Sequence, residues 1–189
     1  MNMNRLACIA FGIGQFIASL AIAEELGGPS THCETHELVV LSCPIAGKSN
    51  KHMSICRTSA QTSANAYMQY RFGKLGQTPE LTYPATTQMH ARQAFQFSVR
   101  SPNGWTGADN LHFKIGQASY TVYQFSSARF PEKETGVAVR VGEKNPIYLE
   151  CAESRTSQYR DLTELRKLEL PEMTTPFIFG PKANKIYRD

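Results

Sequence analysis

The chain has 189 residues, a formal net charge of +4 and five cysteines. That length suits one domain with a sizeable core. The positive balance is too mild, and Lys and Arg too scattered along the chain, to imply a nucleic-acid partner, and none is expected.

Met1 to Arg5 is a short cationic start, and Leu6 to Ile22 is an almost unbroken apolar run. Ala21-Ile22-Ala23 is a small-x-small cleavage site followed by Glu24-Glu25, so residues 1–23 read as a secretory signal peptide. An uncleaved anchor is the alternative, since about 17 apolar residues is the short end of a spanning helix. Cys8 lies at the front of the apolar run, where lipid attachment does not occur. Cleavage of the first 23 residues leaves 166 and a charge of +3. The mature chain is then periplasmic or secreted, with no stable membrane insertion.

Cys33, Cys43, Cys56 and Cys151 remain, an even count that reads as two disulfides in an oxidising compartment. Three connectivities are open. Cys56–Cys151 with Cys33–Cys43 is preferred, because the first bridge closes nearly the whole domain. Cys43–Cys56 across one hairpin is the main rival.

Residues 24–36 are polar and read as an N-terminal tail, mobile up to Cys33. The β-domain is expected over 37–156. Glu37 to Ile45 and His52 to Arg57 are its first two strands, joined by the turn Gly47-Lys-Ser-Asn50. Ala66 to Pro84 reads as a hairpin around Lys74-Leu-Gly-Gln77. Its expected register sets Arg71 against Glu80, Tyr70 against Leu81 and Phe72 against Pro79. Pro84 to Arg92 is a connection.

Gln93 to Arg100 and Asn110 to Ile115 alternate cleanly and flank a turn-rich loop, Ser101 to Asp109. Ala118 to Phe125 is apolar on both faces. Ser126 to Thr135 reads as a long loop, and Gly136 to Val141 and Pro146 to Cys151 as a last hairpin. The class is therefore all-β: an antiparallel sandwich or small barrel of about nine strands. Over 157–189 the chain offers a short C-terminal helix, with Leu162, Leu165 and Leu168 at three-residue spacing and Pro171 stopping the run. Phe177-Ile178-Phe179 beyond it is an edge strand or an apolar docking patch.

The chemistry-bearing residues form no strong motif. His32 and His36 sit four apart and, with Cys33, Glu37 or His52, compose a weak transition-metal alternative. The segment lacks the second His of a zincin motif and leads into a strand, so a tail carrying a disulfide cysteine is favoured. Cys56 with His52 is read as a disulfide half rather than a nucleophile. Arg71 and Glu80 are read as a structural cross-strand pair, and His90 and His112 as structural or solvent-facing. No cofactor is expected, and the reading leans away from an enzyme. Two loops invite binding: Trp105, the only tryptophan, in one, and Arg129 and Phe130 in the other.

Tyr67-Met-Gln-Tyr-Arg-Phe-Gly73 followed by Pro79-Glu80-Leu81 resembles a pattern of exported Gram-negative proteins of uncharacterised activity. Ser54-Ile-Cys56, Tyr120-Thr-Val-Tyr123 and Gly136-Val137 fit the same pattern, which covers roughly Cys43 to Cys151. The resemblance implies a small periplasmic β-domain. More distantly, the order of cysteine, strands and final cysteine is similar to periplasmic lysozyme inhibitors, although their Ser-Gly-x-x-Tyr motif is absent. The expected function is a non-enzymatic binding protein, of inhibitor or immunity type, acting on a protein or cell-wall partner. A structural envelope component is a further alternative.

Overall fold

The computed structural model describes residues 30–59, 66–101, 106–127, 130–152 and 162–186. Alternating apolar side chains build two antiparallel sheets facing one another across a shared core. The first sheet has the order β1 (Leu38–Pro44), β2 (Lys51–Arg57), β3 (Met68–Lys74) and β4 (Leu81–Tyr83). The second has the order β5 (Gln96–Arg100), β6 (Thr106–Ile115), β7 (Ala118–Ser127), β8 (Phe130–Val141) and β9 (Ile147–Glu150).

Leu41, Met53, Ile55, Met68 and Tyr70 point inward from the first sheet, and Phe97, Leu111, Phe113, Val122 and Val137 from the second. Phe113 stacks between Tyr83 and Tyr120, with ring centroids at 4.6 and 4.9 Å. Along one side the sheets nearly merge. Ile45 bridges to Cys151, Ala46 N–H donates to Glu150 O, and Ala152 N–H donates to Pro44 O. On the other side a single helical turn, α1 (Ala91–Ala94), buries Ala91 and Ala94 and donates Ala91 N–H to Ala66 O. The architecture is an open sandwich with one seam, not a closed barrel.

Leu162–Leu168 is a 3-10 helix that buries Leu162, Leu165 and Leu168 at one end of the core. A leucine every third residue matches the three-residue turn of that helix, so all three fall on one face. Gln124 Oε1 accepts the Leu162 N–H at 3.1 Å, and Asp109 pairs with Arg166 at 3.1 Å. A final helix, α2 (Pro181–Ile186), follows.

Both terminal segments lie on outer sheet faces. Ser30 to His36, expected as part of a polar tail, and Glu37, expected to open the first strand, cross the outside of the first sheet. Ser42 Oγ donates to Ser30 O, His32 N–H to Ser54 Oγ, and Arg71 to His32 O. The segment from Pro171 to Ala183 crosses the outside of the second sheet. Its anchors are Phe97 N–H on Pro171 O, Met173 N–H on Ser98 Oγ, and a two-way pair between Ile178 and Asn110. Phe179 packs on Phe125, and Glu134 accepts the Lys182 and Ala183 N–H groups at the start of α2. Phe177-Ile178-Phe179 is thus neither an edge strand nor an open patch; it is part of this strap.

Several local expectations are corrected. The disulfides are Cys33–Cys56 and Cys43–Cys151, neither the preferred pairing nor its main rival. On β2, Met53 and Ile55 face the core, so Cys56 shares the outer face with Ser54 and meets the N-terminal strap. Cys43 faces inward at the seam and meets Cys151. The β3–β4 register is two residues from the expected one: Phe72 faces Leu81, Arg71 faces Thr82 and Tyr70 faces Tyr83. Pro79, with no N–H, stays outside the ladder. The chain instead packs onto Gly73, where a Cβ would lie 2.8 Å from Glu80 N. Arg71 therefore does not pair with Glu80; Glu80 pairs with Lys51 and Arg71 with Glu37. The expected loop Ser126 to Thr135 is mostly strand, β7 running to Ser127 and β8 starting at Phe130.

Candidate functional site

The histidines singled out in the sequence have separate tasks. His32 and His36 lie in the turn before β1, and their rings take different partners. His32 Nε2 meets Gly73 O at 3.2 Å, and His36 Nε2 meets Tyr67 OH at 3.3 Å. His52 is half-buried on the outer face of the first sheet, with Nδ1 unpartnered. Burial lowers the pKa of His52, helped by the charge of nearby His32. Cys33, Glu37 and Cys56 cluster within ligand distance of one another, but both sulfurs are in the disulfide and offer no thiolate. Trp105 and Arg129 lie outside the described residues. Phe130 begins β8, where its backbone pairs with Ser127.

Beside that disulfide sits a buried ion pair. Glu37 is fully covered and accepts Arg71 Nη1 and Nη2 at 2.7 Å each, Glu34 N–H at 2.7 Å and Tyr67 OH at 2.8 Å. Burial pushes the Glu37 carboxyl up, yet Arg71 and the two other donors outweigh it and hold the pKa below the usual range. Tyr67 is pushed up to about 12, first by burial and then by Glu37. Every lone-pair direction of the carboxylate is engaged within the chain. This cluster fastens the strap to the sheet.

The second sheet carries a different arrangement. On the outer face of β6, Asn110, His112 and Lys114 alternate with the core residues Leu111 and Phe113. Asn110 holds the C-terminal strap at Ile178, and Ser98 holds it at Met173. Between these anchors Thr174, Thr175 and Pro176 pass over His112 and Lys114, leaving a cavity on each side. One, of about 310 Å³, opens toward α1 and β5 and is bordered by Tyr83, Arg92, Gln93 and Gln96. The other, of about 190 Å³, opens toward β7 and β8 and is bordered by Ser119, Thr121, Arg140 and Thr175. His112 and Lys114 border both.

His112 is only 3% exposed. Its Nδ1 lies 3.0 Å from Thr121 Oγ1, while Nε2 has no hydrogen-bond partner. Thr175 Oγ1, across the smaller cavity, has none either. Buried polar atoms are rarely left so. Burial lowers the His112 pKa, the Lys114 ammonium adds to this, and the Tyr120 backbone opposes it, so the neutral ring is favoured. Lys114 and Arg140 have no carboxylate partner among the described residues.

The sequence reading missed this cleft and set His112 aside. The available signal was the polar series Asn110-x-His112-x-Lys114 on one face of a strand. What covers that face, a segment about sixty residues downstream, leaves no local trace. Comparisons with known families, with curated proteins and with solved structures find no match.

Proposed function

We propose that this chain is an exported, non-enzymatic binding protein that seats its ligand in the cleft beneath the C-terminal strap. Two disulfides fit an extracellular or periplasmic protein, and among the described residues no helix is long and apolar enough to cross a membrane. The observation that carries the reading is the pair of buried, unpartnered polar atoms, His112 Nε2 and Thr175 Oγ1, bordering one cavity. Such atoms cost free energy unless a ligand or water completes them. The cell wall, rich in polar saccharide and peptide fragments, is the proposed source of the ligand in a periplasmic setting. The test is titration of the mature, oxidised protein with a soluble peptidoglycan digest, following the His112 ring by NMR. Saturable movement of that signal supports the reading; an unmoved signal counts against it.

A second reading is an inhibitor- or immunity-type role toward a protein, carried by Trp105 and Arg129. Thr106 pairs with Ser127, and Trp105 and Arg129 stand one and two positions from that pair in the sequence. This end is remote along the strands from the Lys114 and Ser119 end that carries the cleft. Trp105→Ala should abolish capture of a protein partner from periplasmic extract and leave the melting temperature unchanged. Equal capture by both proteins refutes this second reading.

A further inference from the structure

Building on the cleft reading above, we infer that the smaller cavity between the strap and strands β6 to β8 is a binding site for an oxyanion, a carboxylate or a phosphate group of a larger ligand. Four kinds of donor border that space. Lys114 and Arg140 supply positive charge from β6 and β8, the two strands flanking β7, His112 supplies a ring nitrogen, and Thr175 supplies a hydroxyl from the strap. Among the described residues no acidic side chain borders the cavity. Its volume, about 190 Å³, is ample for a carboxylate or phosphate group.

The hydrogen-bond arithmetic fits an acceptor-rich guest. A neutral imidazole has one N–H. In the tautomer in which Thr121 donates its hydroxyl proton to His112 Nδ1 at 3.0 Å, Nε2 carries the proton and has no hydrogen-bond partner among the described residues. Thr175 Oγ1 adds a second unused donor. An oxyanion has lone pairs for both, and its charge meets Lys114 and Arg140 without an internal carboxylate to displace. A cationic guest would face two like charges, and an apolar guest would leave both donors unsatisfied.

The body of the ligand continues past His112 and Lys114 into the larger cavity. There Gln93 and Gln96 offer amides and Tyr83 an aromatic edge.

The experiment titrates the mature, oxidised protein with sodium acetate, sodium phosphate and sodium chloride at matched ionic strength. The readout is the imidazole ¹⁵N signals of His112. Saturable shifts with acetate or phosphate, absent with chloride, are expected. The tighter of the two identifies carboxylate or phosphate as the natural group, and either supports the site. Lys114→Ala and Arg140→Ala should each weaken binding about tenfold, the ratio that about 1.4 kcal/mol represents. Both residues are at least partly exposed, so the variants should melt with the parent. Identical shifts with chloride, or unchanged affinity in both variants, overturn the inference. If the peptidoglycan digest moves His112 while neither anion does, the oxyanion site falls and the cleft reading stands. If nothing moves His112, both fall.

Discussion

Replacing Glu37 by Gln tests how the N-terminal strap is held. The substitution keeps size and shape but removes the charge that faces Arg71. In the folded protein that carboxylate accepts four hydrogen bonds, all between 2.7 and 2.8 Å. A Gln side chain has one acceptor oxygen, and its NH₂ would confront a guanidinium, a backbone N–H or the Tyr67 hydroxyl. Arg71, whose side chain is 9% exposed, would keep His32 O and Gln69 Oε1 but lose its bidentate, charged partner. Breaking a buried pair by removing one partner costs about 3–5 kcal/mol. Glu80→Gln is the paired control, because its partner Lys51 sits at the surface and such pairs are worth about 0–1 kcal/mol. Urea unfolding followed by far-UV circular dichroism, with both disulfides oxidised, measures the two costs. The pH dependence gives a second reading. Glu37 has a folded pKa below its usual 4.5, so its stabilisation is present above about pH 4.5 and is lost as pH falls through the lower folded value. That acid slope should shrink in Glu37→Gln. A cost within about 1 kcal/mol of the parent, or an equal cost for Glu80→Gln, would refute the assignment and restore the Arg71–Glu80 pairing.

Peptide mapping of the unreduced protein should recover Cys33 joined to Cys56 and Cys43 joined to Cys151. Replacing Cys43 and Cys151 together by Ser should cost about 5 kcal/mol and replacing Cys33 and Cys56 about 3 kcal/mol in the chain-entropy model, because the closed loops differ in length. A larger loss from the second pair would contradict the seam. Gly180→Ala should loosen the C-terminal strap, since a Cβ there would meet the Glu134 carboxylate and lie 2.6 Å from the Tyr123 ring. A lowered melting temperature, equivalent to about 1–3 kcal/mol, is expected, and an unchanged one counts against the strap. Burial lowers the pKa of His32, His52 and His112 below 6.5. Their contribution to stability is complete above about pH 6.5 and is lost as pH falls through the lower folded values. His112→Gln should flatten part of that slope in urea midpoints measured between about pH 7.5 and 5; an unaltered slope would show that His112 is not buried as a neutral ring.

The two-residue error in the β3–β4 register has an instructive cause. A shift of two keeps every side chain on its own face, so Phe72 turns inward whether it faces Pro79 or Leu81. The hydrophobic pattern cannot separate the two, and the apparent match of Arg71 with Glu80 was free to mislead. The disulfide pairing was more legible than the reading made it. In Met53-Ser54-Ile55-Cys56 the alternation already puts Cys56 outside, away from a partner in the core seam. Loop length favoured Cys56–Cys151, but strand parity forbids it.

Alternation, turn residues and an even cysteine count determined the all-β class and most strand positions, and the leucines at 162, 165 and 168 marked the 3-10 helix that caps the core. These signals are local: each depends on neighbours within a few residues, whose side-chain directions the backbone repeat dictates. Which strap covers which face, where Arg71 finds its carboxylate, and that His112 lies under Thr175 were decided only in three dimensions. Arg71 and Glu37 stand 34 positions apart, Asn110 and Ile178 68, and Ser98 and Met173 75, and no periodicity in the chain encodes a meeting across such distances.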